Sequence, residues 1–191
     1  MAQMYVITGG PGTGKSTLIT ELAKLGYQTV PEAARLVMEE ELVIKEEQDK
    51  QPPILPWTNL YEFQRRTIAK QLNLEAQLKS GIAFLDRGRR DCVGYCRKGR
   101  IDVPPEVTAA LSTENYQYIF LMEPLCQYVT DQHRRETQEK ALNLHHFLAA
   151  AYRDGGYLPI TVPALSPPER VNYILCHIHQ LHFMSYTQRN N

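Results

Sequence analysis

Long hydrophobic runs are missing from this sequence. None approaches the ~18–20 residues needed to span a bilayer, and IFLM at 119–122 is typical of those present. An excess of either charge is missing too: 21 Lys and Arg balance 21 Asp and Glu over 191 residues. That balance excludes a global basic field for holding nucleic acid or an anionic membrane, so neither a nucleic-acid partner nor integral membrane association is expected. Local clusters of charge remain open. Cysteines number four (Cys92, Cys96, Cys126, Cys176), without a CxxC pair, and the N-terminal MAQMYVITGG lacks the basic, apolar and small-residue parts of a secretory signal. Free thiols in a reducing cytoplasm are the expectation. Internal repeats and low-complexity tracts are absent. What is present, 43% hydrophobic and 22% charged residues, is ordinary for a globular chain, and the length suits one domain over 1–191.

Short apolar runs alternate with helix-period stretches. Strands are expected at 4–8, 28–30, 82–85, 118–122 and 157–162. Helices are expected at 15–25, 32–43, 60–78, 91–97, 106–111, 138–153 and 168–181. Between them, 44–58 carries Gln51-Pro52-Pro53 and Pro56 and reads as a mobile loop. Strands spaced by helices require crossover connections, hence a mostly parallel five-stranded sheet flanked by helices in three layers. Ligands in such sheets bind beyond the carboxyl ends of the strands.

Gly9-Gly10-Pro11-Gly12-Thr13-Gly14-Lys15-Ser16 fits G-x-x-x-x-G-K-[ST] between an expected strand and an expected helix, with Thr17 following. Glycines let backbone N–H groups close around an anion. The helix start adds unpaired donors and the positive end of its dipole. Lys15 supplies charge for the β- and γ-phosphates, and Ser16 a hydroxyl for Mg²⁺. The expected class is a P-loop NTPase binding ATP with Mg²⁺. An Asn-Lys-x-Asp guanine motif is absent, which disfavours a GTPase.

Three further features cluster at strand ends. Ile82–Asp86 has the form of a Walker B strand, with Asp86 as a Mg²⁺ partner or, alternatively, the cap of a turn. The next residue is Arg87, where water-splitting ATPases commonly place a second acid. Glu32 follows the short second strand, either as a base for an acceptor hydroxyl or as an acid in the first turn of a helix. Asp131-Gln132-His133-Arg134-Arg135-Glu136 lies in an expected lid at about 125–140, where Arg134 and Arg135 can close over a transferring phosphoryl group.

In order, GGPGTGKST, VPEAAR, the FQRR of 63–66, FLDRG, DQHRR and LHHFL…GY…VP…ERVNYIL resemble the P-loop AAA domain family that includes the NadR ribosylnicotinamide-kinase region. More distantly, the series is similar to deoxynucleoside kinases. The resemblance covers 4 to about 177 and implies a nucleotide-kinase-like fold with a lid. It implies that Lys15, Glu32, Arg87, Arg134 and Arg135 are catalytic, with Glu32 the base, Asp86 the Mg²⁺ partner and Arg87 a phosphate contact. Arg35 and Gln64 become candidate substrate contacts beside Glu32 and Arg87. The implied activity is ATP-dependent phosphoryl transfer to a small nucleoside- or nucleotide-like acceptor. Some relatives are regulatory, so an ATP-hydrolysing or nucleotide-binding module with a protein or phosphoinositide partner is the alternative. Monomer and dimer stay open.

Other residues read more plainly. His179 and His182 suit a solvated helix end better than a metal site, and Cys92 with Cys96 suits packing better than redox chemistry. Arg87, Arg89, Arg90, Arg97, Lys98 and Arg100 read either as a basic strip on the rim of the site or as salt-bridged surface, opposite an acidic segment at 39–49.

Overall fold

The structure, a computed structural model, describes residues 1–48, 52–125 and 138–189. Five strands, β1 (Ala2–Thr8), β2 (Gln28–Val30), β3 (Gly81–Asp86), β4 (Tyr116–Met122) and β5 (Ile160–Val162), form one sheet in the order β2-β3-β1-β4-β5. Every pairing is parallel, with Ile7 beside Asp86 and Thr8 beside Leu121. All the carboxyl ends therefore lie along one edge. β1 is central, so the loop that follows it sits in the middle of that edge.

Seven helices connect and cover the strands: α1 (Lys15–Lys24), α2 (Ala33–Gln48), α3 (Leu60–Ala76), α4 (Arg89–Gly99), α5 (Pro105–Leu111), α6 (Gln138–Arg153) and α7 (Pro167–Arg189). Alternation along the strands splits the core by face. Tyr5, Ile7, Phe84, Phe120 and Met122 pack with Leu18 and Leu22 of α1 and with Ile174 and Ile178 of α7. Val6, Ala83, Leu85 and Ile119 pack on the other face with Tyr152 of α6. The three-layer α/β architecture expected from the alternation is the one observed.

Some boundaries differ. α2 runs on to Gln48, through the first part of the expected loop, because Glu, Leu and Lys at 45–47 and before sustain a helix until the prolines intervene. The final strand starts at Ile160, and Tyr157 instead packs against Tyr116 and Tyr152. α7 extends to Arg189, beyond the expected 181. Within the expected lid, Gln138 already opens α6, and Arg134 and Arg135 lie outside the described residues.

Candidate nucleotide and acceptor site

The phosphate loop turns between β1 and α1. Gly9 has φ 143°, and a Cβ there would stand 2.9 Å from the Met122 carbonyl oxygen, so only glycine fits. Gly14, at φ 83°, caps α1 without a side-chain capping bond, which leaves first-turn N–H groups for an anion. Lys15 is buried and donates to the Gly10 carbonyl at 2.8 Å and to Thr13 Oγ1 at 3.4 Å. Burial, reinforced by the Arg87 guanidinium, lowers the Lys15 ammonium to about 8. A buried ammonium resting on neutral oxygens is primed for an anionic partner.

Asp86 ends β3 beside this loop. Ser16 Oγ donates to its Oδ2 at 2.9 Å, while its Oδ1 is buried and without a hydrogen-bond partner among the described residues. Burial, with the Glu32 carboxylate adding to it, raises the Asp86 carboxyl above its usual range. An orphaned carboxylate oxygen next to a serine hydroxyl suits a divalent cation, whose other ligands would be phosphate oxygens and water.

Arg87 ties the site together. Its Nε donates to Glu32 Oε1 at 2.8 Å, and its Nη1 donates to the Gly9 carbonyl at 3.1 Å and to Asp91 Oδ1 at 2.9 Å. The guanidinium lies 5.4 Å from the Tyr95 ring centre. Burial opposes ionisation of Glu32, but Arg87 and Lys15 outweigh it and hold the carboxyl below its usual value. Asp91 in turn accepts from Thr8 Oγ1 at 2.8 Å, Gly88 N at 3.1 Å and Tyr152 Oη at 2.6 Å.

Beyond Glu32 and Arg87 is a cavity of about 100 Å³ between α2, α3 and α4. Met38, Phe63, Gln64 and Tyr95 are among its walls, and Gln64 is only 2% exposed. Lys15, Ser16, Glu32, Asp86, Arg87 and Gln64 thus converge. Thr17 is exposed in the first turn of α1, and Pro11 and Gly12 are half-buried in the loop. Arg35 is exposed, one turn beyond Glu32, and does not line the cavity.

Arg89 and Arg90 do not belong to a rim. Arg89 Nη2 meets Glu75 Oε2 at 2.6 Å inside the protein, and Arg90 meets Glu114 at 2.5 Å. Arg97 pairs with Asp154 at 2.6 Å. The acidic segment is likewise partly matched, with Glu40 on Lys70 and Glu41 on Arg66 of α3. Cys92 and Cys96 are buried packing residues, and burial raises both thiols. Sequence reasoning missed Asp91, Tyr152 and Arg170. Asp91 carries a signal, standing one helical turn after Arg87; the other two reach the site only through the fold.

A parallel sheet of this order, with the phosphate loop after its central strand and an acid closing the neighbouring one, defines a P-loop fold of the nucleotide-kinase type. The chain belongs to the AAA domain family, whose model matches residues 4–170. Among solved structures it is similar to deoxyadenosine kinase from M. mycoides, at 14% identity and TM-score 0.60 over 94% of this chain and 100% of that one. It is similar to thymidylate kinase from Candida albicans, at 14% identity and TM-score 0.64 over 95% of this chain and 92% of that one. A NadR protein in complex with NR matches at 20% identity and TM-score 0.67, over 94% of this chain but 51% of the NadR chain. At these identities the likeness shows the fold. A comparison with curated protein sequences returns no match.

Proposed function

We propose that the chain is an ATP- and Mg²⁺-dependent phosphotransferase acting on the hydroxyl of a small nucleoside-like acceptor. The observation that carries this reading is a carboxylate, Glu32, that lines a cavity and is held by Arg87, whose guanidinium also bonds the Gly9 carbonyl of the phosphate loop. The loop N–H groups and Lys15 would bind the triphosphate. Ser16 and Asp86 would hold Mg²⁺, which when bound neutralises charge on the β- and γ-phosphate oxygens. Glu32 would take the proton of the acceptor hydroxyl, and Arg87 would orient Glu32 and face the transferring group. Arg134 and Arg135 are proposed to close over that group, with the lid excluding water.

Charge favours a hydroxyl acceptor over a phosphate-bearing one. Among the cavity-lining residues, the carboxylates of Glu32 and Asp91 outnumber the single guanidinium of Arg87. A phosphomonoester would bring further negative charge to a place with no spare cation in its lining. Among the similar structures, deoxyadenosine kinase is named for a nucleoside and thymidylate kinase for a nucleotide, so the lining charge alone supports the choice.

Steady-state kinetics on the productive acceptor test the assignment. Lys15→Ala is expected to abolish turnover. Glu32→Gln is expected to lower kcat by about 10²–10⁴-fold, the usual worth of a general base, with ATP binding retained. Unchanged turnover by Glu32→Gln on every productive acceptor contradicts the base assignment.

A further inference from the structure

Arg170, in the first turns of α7, is a charge that the roles above leave unused. It is 2% exposed and reaches three separate segments. Its Nη1 donates to the Thr13 carbonyl of the phosphate loop, its Nη2 to the Glu123 carbonyl just past β4 at 3.2 Å, and its Nε to the Pro163 carbonyl just past β5 at 2.9 Å. All three acceptors are neutral, and no ion pair joins Arg170 to a carboxylate among the described residues. Burying a guanidinium on carbonyl oxygens is expensive, and burial depresses its basicity, with the Glu123 carboxylate offsetting this in part. Such an arrangement is stabilised when an anion arrives nearby.

The contact with Thr13 has a geometric consequence. In a planar trans peptide the C=O and the following N–H point in opposite directions. Fixing the Thr13 oxygen on Arg170 therefore directs the Gly14 N–H, within the same plane, away from Arg170. Gly14 is in the left-handed region at φ 83°, and a Cβ on it would stand 3.2 Å from Arg170 Nη1, so the guanidinium packs directly against this peptide. We propose that Arg170 is a positioning residue for the nucleotide's phosphates: it fixes the Thr13–Gly14 peptide so that the Gly14 N–H donates to phosphate, and it adds a buried positive charge behind the loop. The proposal rests on the nucleotide-binding reading of the loop, not on the kinase reading.

Inorganic tripolyphosphate, which has no base or sugar, separates this role from a strut that merely shapes the nucleotide pocket. Calorimetric affinities for ATP and for tripolyphosphate are compared in the wild type, Arg170→Lys and Arg170→Met, each first checked for folding by circular dichroism. Arg170→Met is expected to weaken both ligands by the same factor, about tenfold or more, the usual worth of a hydrogen bond to a charged group. Arg170→Lys, which keeps the charge but not the fork of donors, is expected to fall between. Unchanged affinities overturn the proposal, and so does loss of ATP affinity with tripolyphosphate binding intact. Where Arg170→Met does not fold, Arg170→Lys alone decides by the same comparison. Lys15→Ala serves as the control: tripolyphosphate binding equal to wild type in that variant removes the nucleotide reading itself, a failure distinct from that of Arg170.

Discussion

Arg87 occupies the left-handed region at φ 75°, a conformation that costs a non-glycine residue roughly 1–2 kcal/mol. Its surroundings hold it there. The Arg87 N–H donates to the Ile7 carbonyl at 3.0 Å, and the guanidinium is shared between Glu32 and Asp91. Asp91 is the anchor, because it also receives Thr8, Gly88 and Tyr152. Asp91→Asn should destabilise the fold by about 3–5 kcal/mol in denaturant unfolding, the usual cost of breaking a buried charge pair. A loss of less than about 1 kcal/mol, the median worth of exposed pairs, would show that Asp91 is not the anchor. At this scale the neighbourhood of the phosphate loop, Glu32 and Asp86 was legible because each follows an apolar strand run, and parallel strands all end along one edge. Asp91, Tyr152 and Arg170 were not, since 61 positions separate Asp91 from Tyr152 and 157 separate Arg170 from Thr13.

The helices show how local sequence can mislead about direction. The Arg-rich run after Asp86 reads either as a basic strip or as salt-bridged surface, and the turn at Arg87 and Gly88 and the start of α4 send its members different ways. Arg87 enters the site, Arg89 goes inward to Glu75, and Arg90 goes to Glu114. Gly88 makes that turn possible, for a Cβ there would stand 2.7 Å from Tyr152 Oη and 2.9 Å from Val6 Cγ2. α4 then packs against α6 at Gly94, where a Cβ would meet Leu148 Cδ2 at 2.8 Å and the Leu148 backbone at 3.2 Å. Gly94→Ala is expected to push the two helices apart and lower stability by about 1–3 kcal/mol, the range for overpacked cores. Thermal melting checks this; a melting temperature equal to wild type contradicts so close a contact. Helix propensity explains the misread end of α2: Glu and Lys looked like loop charge, but both are good helix formers.

For the molecule as a whole, the alternation of strands and helices was enough to give a parallel three-layer sheet. The strand order was not, because each of these apolar runs carries the same alternation and none names its neighbours. The order matters, since it sets β1 between β3 and β4 and thereby brings Asp86 and Arg87 to the phosphate loop and the Glu123 and Pro163 carbonyls within reach of Arg170. Among the described residues, no helix is long and apolar enough to cross a membrane. Among the described residues, part of the balanced charge lies in pairs that hold α2 to α3 and α4 to its neighbours. If Ser16 and Asp86 hold Mg²⁺ as proposed, excess chelator is expected to abolish phosphoryl transfer, since the buried Asp86 Oδ1 would lack a compensating charge. Turnover in excess chelator equal to that with Mg²⁺ would refute the metal role of Ser16 and Asp86.

The central claim is phosphoryl transfer to a hydroxyl acceptor, and product identity tests it most directly. The protein is incubated with γ-labelled ATP, Mg²⁺ and a panel of nucleosides, nucleoside monophosphates and related hydroxyl metabolites, and the products are separated. The account predicts label in a phosphorylated nucleoside-like product, absent with Lys15→Ala. Label found solely in free phosphate, whatever the acceptor offered, would contradict it and indicate a nucleotide-hydrolysing module instead.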